Sequence, residues 1–221
     1  MAFNDSKETA SNDEAMWDSF HTGRLGAAYT ALNALKTTLV CKMFASKILG
    51  MSGPVQSVLE LGCGTASTLA IIQRMTGARC VGIDRSPEAV RIANQKHPEI
   101  SVETGDIFNL PYPPDSFDLV YSVGLFEHFT KPEQRRLLEI HGSLAQKYVA
   151  MMVPANGILM NSILFVNKRI RKKTGTWADE EVFSPRLLSR HFPEYRFDGT
   201  FDWRFGNLIM WFGWQPQHGP T

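Results

Sequence analysis

The sequence predicts an α/β fold in which a mostly parallel β-sheet carries helices and ends in an antiparallel hairpin. Residues 58–61 form a short β-prone run, and a glycine turn and a helical stretch then lead to a second β run at residues 80–83. β runs and helical stretches alternate up to residue 153, which is the order of parallel βαβ units. Two last β runs, residues 195–203 and 208–214, are joined by turn residues and therefore predict a hairpin.

Length and charge narrow the class of protein. The 221 residues suffice for one α/β domain with a substantial core, and we expect a single domain over residues 1–221. The net charge of +1 gives no field that favours phosphate backbones, so we expect no nucleic-acid partner.

Cysteine usage and hydropathy indicate the compartment. Cys41, Cys63 and Cys80 lack the spacing of a metal site, which favours a reducing compartment without zinc or a disulfide framework. No apolar run reaches the roughly 20 residues that span a bilayer, and residues 1–14 are polar and acidic rather than leader-like. We therefore predict a soluble cytoplasmic protein.

The region before the sheet is predicted to form a tail followed by a helical cap. Residues 1–13 are polar and predict a mobile tail, and residues 14–50 form the cap. Within it, apolar residues recur at three- and four-residue intervals, which predicts an amphipathic helix ended by Gly50 and the turn at residues 53–54. The residues of the predicted apolar face are Leu25, Tyr29, Leu32, Leu35, Leu39 and Met43.

The first βαβ unit carries the clearest motif. Gly62 and Gly64 break the first β run where the chain turns into a helix, and glycines there let backbone N–H groups approach a ligand. The helix, residues 68–75, is ended by Gly77, and the second β run ends at Asp84. The predicted packed side of this helix is formed by Leu69, Ile71, Ile72 and Met75. Asp84 follows Gly64 by 20 residues, the interval at which a carboxylate accepts hydrogen bonds from two ribose hydroxyls in nucleotide-type units.

Helix-capping and helix-breaking residues predict the later elements. Ser86 caps a helix that runs to about residue 96, residues 100–104 form a strand, residues 110–115 are loop, and residues 117–123 form a strand for the sheet centre. Thr130 and Glu133 predict a capping box before the next helix, and residues 148–153 form the fifth strand. Ser184 caps one more helix, which ends near residue 191.

The motifs together resemble those of class I S-adenosylmethionine-dependent methyltransferases. The third position of the dinucleotide fingerprint is Ser67 instead of glycine, whereas residues 60–65 followed by residues 82–84 resemble the first two motifs of that family. Residues 105–107, 117–120 and 125–128 fall in its order and spacing. The resemblance implies a three-layer Rossmann-like sandwich with a seven-stranded sheet, N-terminal helices over the cofactor pocket, and transfer of a methyl group by in-line displacement.

The resemblance also implies a cofactor site for S-adenosylmethionine, with S-adenosylhomocysteine as product. Asp84 would hold the ribose and Asp106 the adenine amino group, although Asp106 also fits an exposed turn. Trp17, Arg24 and Tyr29 on the N-terminal helices would reach the methionine carboxylate or the acceptor, or else serve as ordinary core and surface residues. The other cofactor-binding candidates are Glu60, Gly62, Cys63, Gly64, Arg85, Gly105, Ile107 and Ser122.

His128 is the candidate catalytic base, because it lies just past the fourth strand and because a histidine pKa near neutrality suits that role. The alternative is that residues 127–128 shape the loop or help to hold the cofactor. His97, His141 and His191 are placed at helix ends or on solvated faces as structural residues. We expect no catalytic metal, since the sequence shows no ligand cluster.

Residues 155–182 depart from the alternation of β runs and helical stretches, and we predict that they form a lid-like insertion. Residues 158–166 are apolar and residues 168–173 are basic. A helical lid over the acceptor is the favoured interpretation, and a membrane-surface helix formed by residues 158–173 is the alternative.

The favoured function is methylation of an O, N or C atom of a small-molecule acceptor. Methyltransferases that act on exocyclic amines of bases carry an [N/D]-P-P-[Y/F] tetrad after the fourth strand. This chain has Ser122, Val123, Gly124 and Leu125 there, which argues against methylation of such amines. Two alternatives are an NAD-type oxidoreductase, which Ser67 and the hairpin disfavour, and a non-catalytic module that binds S-adenosylmethionine for regulation. The sequence leaves the acceptor and the oligomeric state open.

Overall fold

A computed structural model of the chain describes residues 27–156, 181–201 and 209–216, apart from the side chains of residues 27–38 and 199–201. The helices of this part are α1 (Ala27–Ser52), α2 (Ser67–Thr76), α3 (Pro87–Lys96), α4 (Lys131–Leu144) and α5 (Pro185–His191). The strands are β1 (Ser57–Leu61), β2 (Arg79–Asp84), β3 (Ser101–Thr104), β4 (Phe117–Val123), β5 (Ala145–Pro154), β6 (Asp198–Phe201) and β7 (Ile209–Trp214). A short 3₁₀ helix, Phe126–His128, follows β4.

All seven strands form one sheet in the order β3-β2-β1-β4-β5-β7-β6. The pairs among β1 to β5 are parallel, whereas β7 runs antiparallel to both β5 and β6. The predicted fold class, a mostly parallel sheet with a C-terminal antiparallel hairpin, is therefore confirmed. The carboxyl ends of β1, β2 and β4 meet at one edge, which is where ligands bind in open α/β sheets.

Helices cover both faces of the sheet, because neighbouring residues of each central strand point to opposite sides. Val58 belongs to the same buried apolar cluster as Phe44 of α1 and Leu69 of α2, whereas Leu59 belongs to the cluster that contains Leu137 of α4. These five residues are at most 1% exposed. The result is the expected three-layer sandwich, with the β strands too apolar to face water on either side.

In the described side chains of α1, from residue 39 onward, the buried face departs from the predicted one at Leu39. The side chains that pack on the sheet are Cys41, Phe44, Ala45 and Ile48, which follow helical spacing. Leu39 belongs to the predicted apolar face but is 52% exposed, so that assignment is wrong. The sequence carries apolar residues around most of this helix, and periodicity alone does not select the side that meets the sheet.

The predicted caps are present. The Ser86 hydroxyl accepts from the N–H of Ala89, and the Thr130 N–H donates to Glu133 Oε2 at 2.9 Å. Gly77 ends α2 in the left-handed region at φ 68°. Met75, predicted on the packed side of α2, is instead 52% exposed.

Two strands have other bounds than predicted. β5 begins at Ala145, three residues early, because α4 ends at Leu144 and the chain enters the strand without a loop. β6 begins at Asp198, since Tyr195 bonds to Phe192 in a turn and stacks on Phe197.

His141 also departs from the expectation of a solvated or helix-end residue. It is fully buried on α4, with Nδ1 2.7 Å from the Leu137 carbonyl. Burial lowers the pKa of His141 to about 4.

Several predictions concern residues outside the described ones. They are the tail, Trp17, Arg24, the side chain of Tyr29, the segment at residues 157–180 and the hairpin turn at residues 205–207. Within the described ranges, no helix combines the length and apolarity needed to cross a membrane.

Candidate functional site

The glycine turn between β1 and α2 sits on the backbone of β2. The N–H groups of Gly62 and Cys63 both donate to the Ile83 carbonyl, at 2.8 and 3.1 Å. Gly62 adopts φ 67°, and a Cβ added there would lie 2.7 Å from Leu125 Cδ1. Only glycine satisfies both constraints, so this turn is fixed in shape by the strand beside it and by the loop after β4.

Asp84 braces the same turn. Its Oδ2 accepts from the Gly64 N–H at 2.6 Å, and its Oδ1 accepts from the Ser86 N–H at 2.9 Å. The residue is half-buried, and each carboxylate oxygen keeps capacity for a further donor. The 20-residue interval seen in the sequence therefore corresponds to a direct contact between the turn and the end of β2.

Glu60 lies beneath the turn, on the α1 side of the sheet. It is 2% exposed, and its Oε2 accepts from the Tyr121 hydroxyl at 2.9 Å. Burial raises the pKa of Glu60 to about 8, while the Tyr121 hydrogen bond opposes the shift and the Asp84 charge adds to it. The carboxyl supports the turn from inside the protein.

Cys63 packs toward β2 rather than toward solvent. A Cβ added at Gly82 would lie 2.8 Å from Cys63 Sγ, so the glycine makes room for the thiol. Burial raises the pKa of Cys63 well above its usual value, and the Glu60 and Asp84 carboxyls add to the shift. Cys41 and Cys80 are also buried free thiols, so none of the three has the thiolate character of a nucleophile.

The loop after β3 joins the same edge. The Gly105 N–H donates to the Asp84 carbonyl at 2.9 Å, and Asp106 Oδ1 accepts from the Phe108 N–H at 3.0 Å. Asp106 is exposed and Ile107 is buried, which places a carboxylate beside an apolar side chain. A flat, polar-edged ring is the kind of ligand that such a pair suits.

The chain leaves β4 through Ser122, which pairs with Leu61 and is 1% exposed. Gly124 then takes φ 63°, and the 3₁₀ helix brings His128 to the sheet edge half-buried. Burial lowers the pKa of His128 to about 4, with a hydrogen bond to the Gly124 backbone offsetting part of the shift. The expected pKa near neutrality is therefore wrong, and the imidazole is neutral at pH 7.

The structure thus brings together most of the candidates from the sequence. Those at the sheet edge are Gly62, Cys63, Gly64, Asp84, Arg85, Gly105, Asp106, Ile107, Ser122 and His128, with Glu60 beneath them. Arg85 is exposed immediately after Asp84. No group of His, Cys, Asp and Glu side chains suited to a metal occurs in the described ranges.

Sequence reasoning missed Tyr121, Leu125 and Gln134. Tyr121 contacts Glu60, Leu125 contacts Gly62, and Gln134 bonds to the backbone around His128. Strand alternation contained a signal for Tyr121, since it faces the same side as Leu119 on β4. Leu125 and Gln134 give no comparable signal, because their contacts depend on how the loop after β4 folds.

Parts of the sequence are similar to known proteins. Residues 58–147 match the family model described as "Methyltransferase domain". Ajmaline N-methyltransferase of Rauvolfia serpentina is 33% identical over 85 residues, which cover 36% of this chain and 29% of that protein. A phthiotriol/phenolphthiotriol dimycocerosates methyltransferase of Mycobacterium leprae (strain TN) is 28% identical over 160 residues, 64% of this chain and 58% of that protein.

A solved structure extends the likeness to the whole fold. Magnesium protoporphyrin IX methyltransferase (ChlM) from Synechocystis PCC 6803, with bound SAH, superposes with a TM-score of 0.68. The match covers 96% of this chain and 99% of that one, at 16% sequence identity. The chain spans only 29% to 36% of the length of the first three curated relatives it matches. Residues 58–147 of this chain are therefore similar in sequence to a methyltransferase domain, and the likeness of the fold to a solved methyltransferase extends over most of the chain.

Proposed function

We propose that this chain transfers a methyl group from S-adenosylmethionine to a small-molecule acceptor. The observation that carries the proposal is the bond between Gly64 and Asp84 at 2.6 Å. It holds the glycine turn open beside a carboxylate that retains lone pairs, at the sheet edge where ligands bind. The matched methyltransferase relatives support the same function.

The residues present fit this cofactor. Asp84 would accept from the two ribose hydroxyls, and the exposed Asp106 would accept from the adenine amino group while the Ile107 backbone addresses the ring. Gly62 and Gly64 take φ values of 67° and 52° in the turn, and Arg85 lies next to Asp84 in the chain. Glu60 and Ser122 are almost fully buried, so we assign them the role of holding the edge in place.

When bound, the cofactor supplies an electrophilic methyl group on a positively charged sulfur. The chain's own contribution is to hold the acceptor in line and to exclude water. His128 would take the proton of an acceptor hydroxyl or amine, because its imidazole is neutral at pH 7.

The names of the relatives indicate the general class of acceptor. Ajmaline N-methyltransferase and the demethylmenaquinone methyltransferase of Chlorobaculum parvum (strain DSM 263 / NCIMB 8327) are both named for small organic acceptors. We infer an acceptor of that general kind here, without a nucleic-acid partner.

Calorimetry on the full chain tests the proposal. We expect saturable binding of S-adenosylhomocysteine and S-adenosylmethionine, and much weaker binding of NAD. A screen of amines, phenols and quinols with methyl-labelled S-adenosylmethionine then identifies the acceptor. If NAD binds more tightly than either sulfur compound, or if neither sulfur compound binds, the proposal is wrong.

A further inference from the structure

Gln134, in the first turn of α4, is a fully buried amide whose contacts converge on the loop after β4. Its Nε2 group lies 3.2 Å from the Phe126 carbonyl and 3.0 Å from the Phe129 carbonyl. These two carbonyls flank Glu127 and His128 in the chain. The two N–H groups of this amide are shared among the two carbonyls and a carboxylate oxygen of Glu181, so one side chain contacts both ends of the short segment that carries the candidate base.

Two backbone hydrogen bonds within that segment are long. The His128 N–H reaches the Leu125 carbonyl at 3.2 Å, and the Phe129 N–H reaches the Phe126 carbonyl at 3.4 Å. Both distances lie at or beyond the long end of the usual range for N–H···O bonds. The His128 ring also bonds to the Gly124 backbone. The Gln134 amide adds side-chain contacts at the two ends of this turn, where the backbone bonds are long.

Gln134 is itself fixed by two charged residues. Its Nε2 also lies 2.9 Å from Glu181 Oε2, and its Oε1 accepts from Lys131 Nζ at 3.1 Å. Lys131 and Glu181 form an ion pair at 2.5 Å. Phe183, two residues after Glu181, donates to the Pro154 carbonyl at 2.9 Å, so the group is anchored to the exit of β5.

We propose that Gln134 is a positioning residue that sets the place of His128 relative to the ends of β4 and β5. The inference rests on the proposed function, in which His128 faces the acceptor. It assigns the acceptor side of the site to α4, whereas the cofactor side is held by the Gly64–Asp84 contact. Loss of the Gln134 amide should therefore release His128 and leave the glycine turn intact.

The first test replaces Gln134 by Met, which has a similar shape and no amide. Hydrogen exchange should become at least about tenfold faster at the amides of His128 and Phe129, and remain unchanged in β1 and β4. The His128 ring signal is identified by its loss in His128→Asn and is titrated by NMR. Its pKa should rise by one unit or more toward the ordinary value, because the freed ring meets water.

Cofactor affinity separates a positioning role of Gln134 from a general loss of stability in the variant. Affinity for S-adenosylhomocysteine, measured by calorimetry, should stay within about threefold of the parent value in Gln134→Met. Gln146→Met is the matched control, because Gln146 also bonds to a backbone carbonyl, that of Asp115 at 2.7 Å, but is exposed and distant from His128. The control should change neither exchange at residues 126–129 nor the His128 titration.

Failure of the inference about Gln134 and failure of the proposed function give different experimental results. An unchanged His128 titration with unchanged exchange at residues 126–129 in Gln134→Met would overturn the inference, and so would loss of S-adenosylhomocysteine binding in that variant alone. Failure of the parent protein to bind S-adenosylhomocysteine would instead overturn the proposed function. If Gln134→Met does not fold, Gln134→Asn replaces it: the shorter amide cannot span both carbonyls, and a His128 pKa that rises by less than half a unit would contradict the inference.

Discussion

The hydroxyl of Tyr121 donates a 2.9 Å hydrogen bond to Glu60 Oε2, and both side chains are buried under the glycine turn. The two residues face each other across the paired strands β1 and β4. This contact places an ionisable group in the core directly below the ligand edge. Burial of this carboxyl makes the stability of the protein depend on pH, and the Tyr121 hydrogen bond reduces that dependence.

Glu60→Gln should remove that dependence. The folded-state pKa of Glu60 is raised to about 8 from an ordinary 4.5, so the folded protein retains a proton that the unfolded chain loses. Stability is therefore fully present below pH 4.5 and is lost as pH rises through 8. Denaturant unfolding at pH 5 and pH 8.5 should show a smaller difference in Glu60→Gln than in the parent. Glu139→Gln, an exposed carboxylate on α4, should leave the difference unchanged.

Replacing Asp84 should weaken cofactor binding through two effects. Asp84→Asn keeps an acceptor oxygen but loses the charge, whereas Asp84→Ala also frees the N–H groups of Gly64 and Ser86. We expect affinity for S-adenosylhomocysteine to fall by about ten- to a hundredfold in Asp84→Ala, and by less in Asp84→Asn. Calorimetry measures both variants, with Glu139→Ala as the control. Equal affinities in Asp84→Ala and the parent would remove Asp84 from the site.

His128→Ala should lower kcat by about 10² to 10⁴ once an acceptor is known, with cofactor affinity unchanged. Because the pKa of His128 is about 4, its protonation should not reduce kcat/KM between pH 5 and 7. His97→Ala serves as a histidine control, since His97 caps α3 away from this edge. A decrease in kcat of less than threefold, or an acid limb near pH 6.5 that disappears in His128→Ala, would contradict this prediction.

Gly62→Ala should destabilise the protein by at least about 1 to 2 kcal/mol, because an L-residue is strained at φ 67°. The added methyl group would also meet Leu125 at 2.7 Å. Gly50→Ala is a matched control in α1, where nothing lies within 4 Å of the new Cβ, and it should stabilise by about 1 kcal/mol. Thermal and denaturant unfolding measure both. Leu125→Ala combined with Gly62→Ala should recover part of the loss, and a fully additive pair would show that the two residues do not touch.

The sequence predicted the sheet well because its signals were local. Glycines at the turn, Ser86 as a cap and the capping box of Thr130 each determine structure within a few residues, and each is present. The seven strands also appear where β-prone runs predict them. The bounds of β5 and β6 were less predictable, since Ala145 joins a helix directly to a strand and Tyr195 forms a turn instead of pairing.

Features that depend on distant contacts were missed. Which face of α1 is buried depends on the sheet beneath it, and the low pKa of His128 depends on how its turn packs. The contacts of Tyr121 with Glu60 and of Gln134 with the His128 turn join residues from different elements. Residue type and spacing do not encode such pairs.

The strand order has a consequence for biosynthesis. β1 lies between β2 and β4. The edge of β1 that pairs with β4 therefore has no partner strand until residue 123 has left the ribosome. β7 likewise lies between β5 and β6, and the outer half of the sheet cannot close before residue 214 is made. A nascent chain therefore exposes apolar strand edges through most of translation, which is when hydrophobic segments attract chaperones or one another.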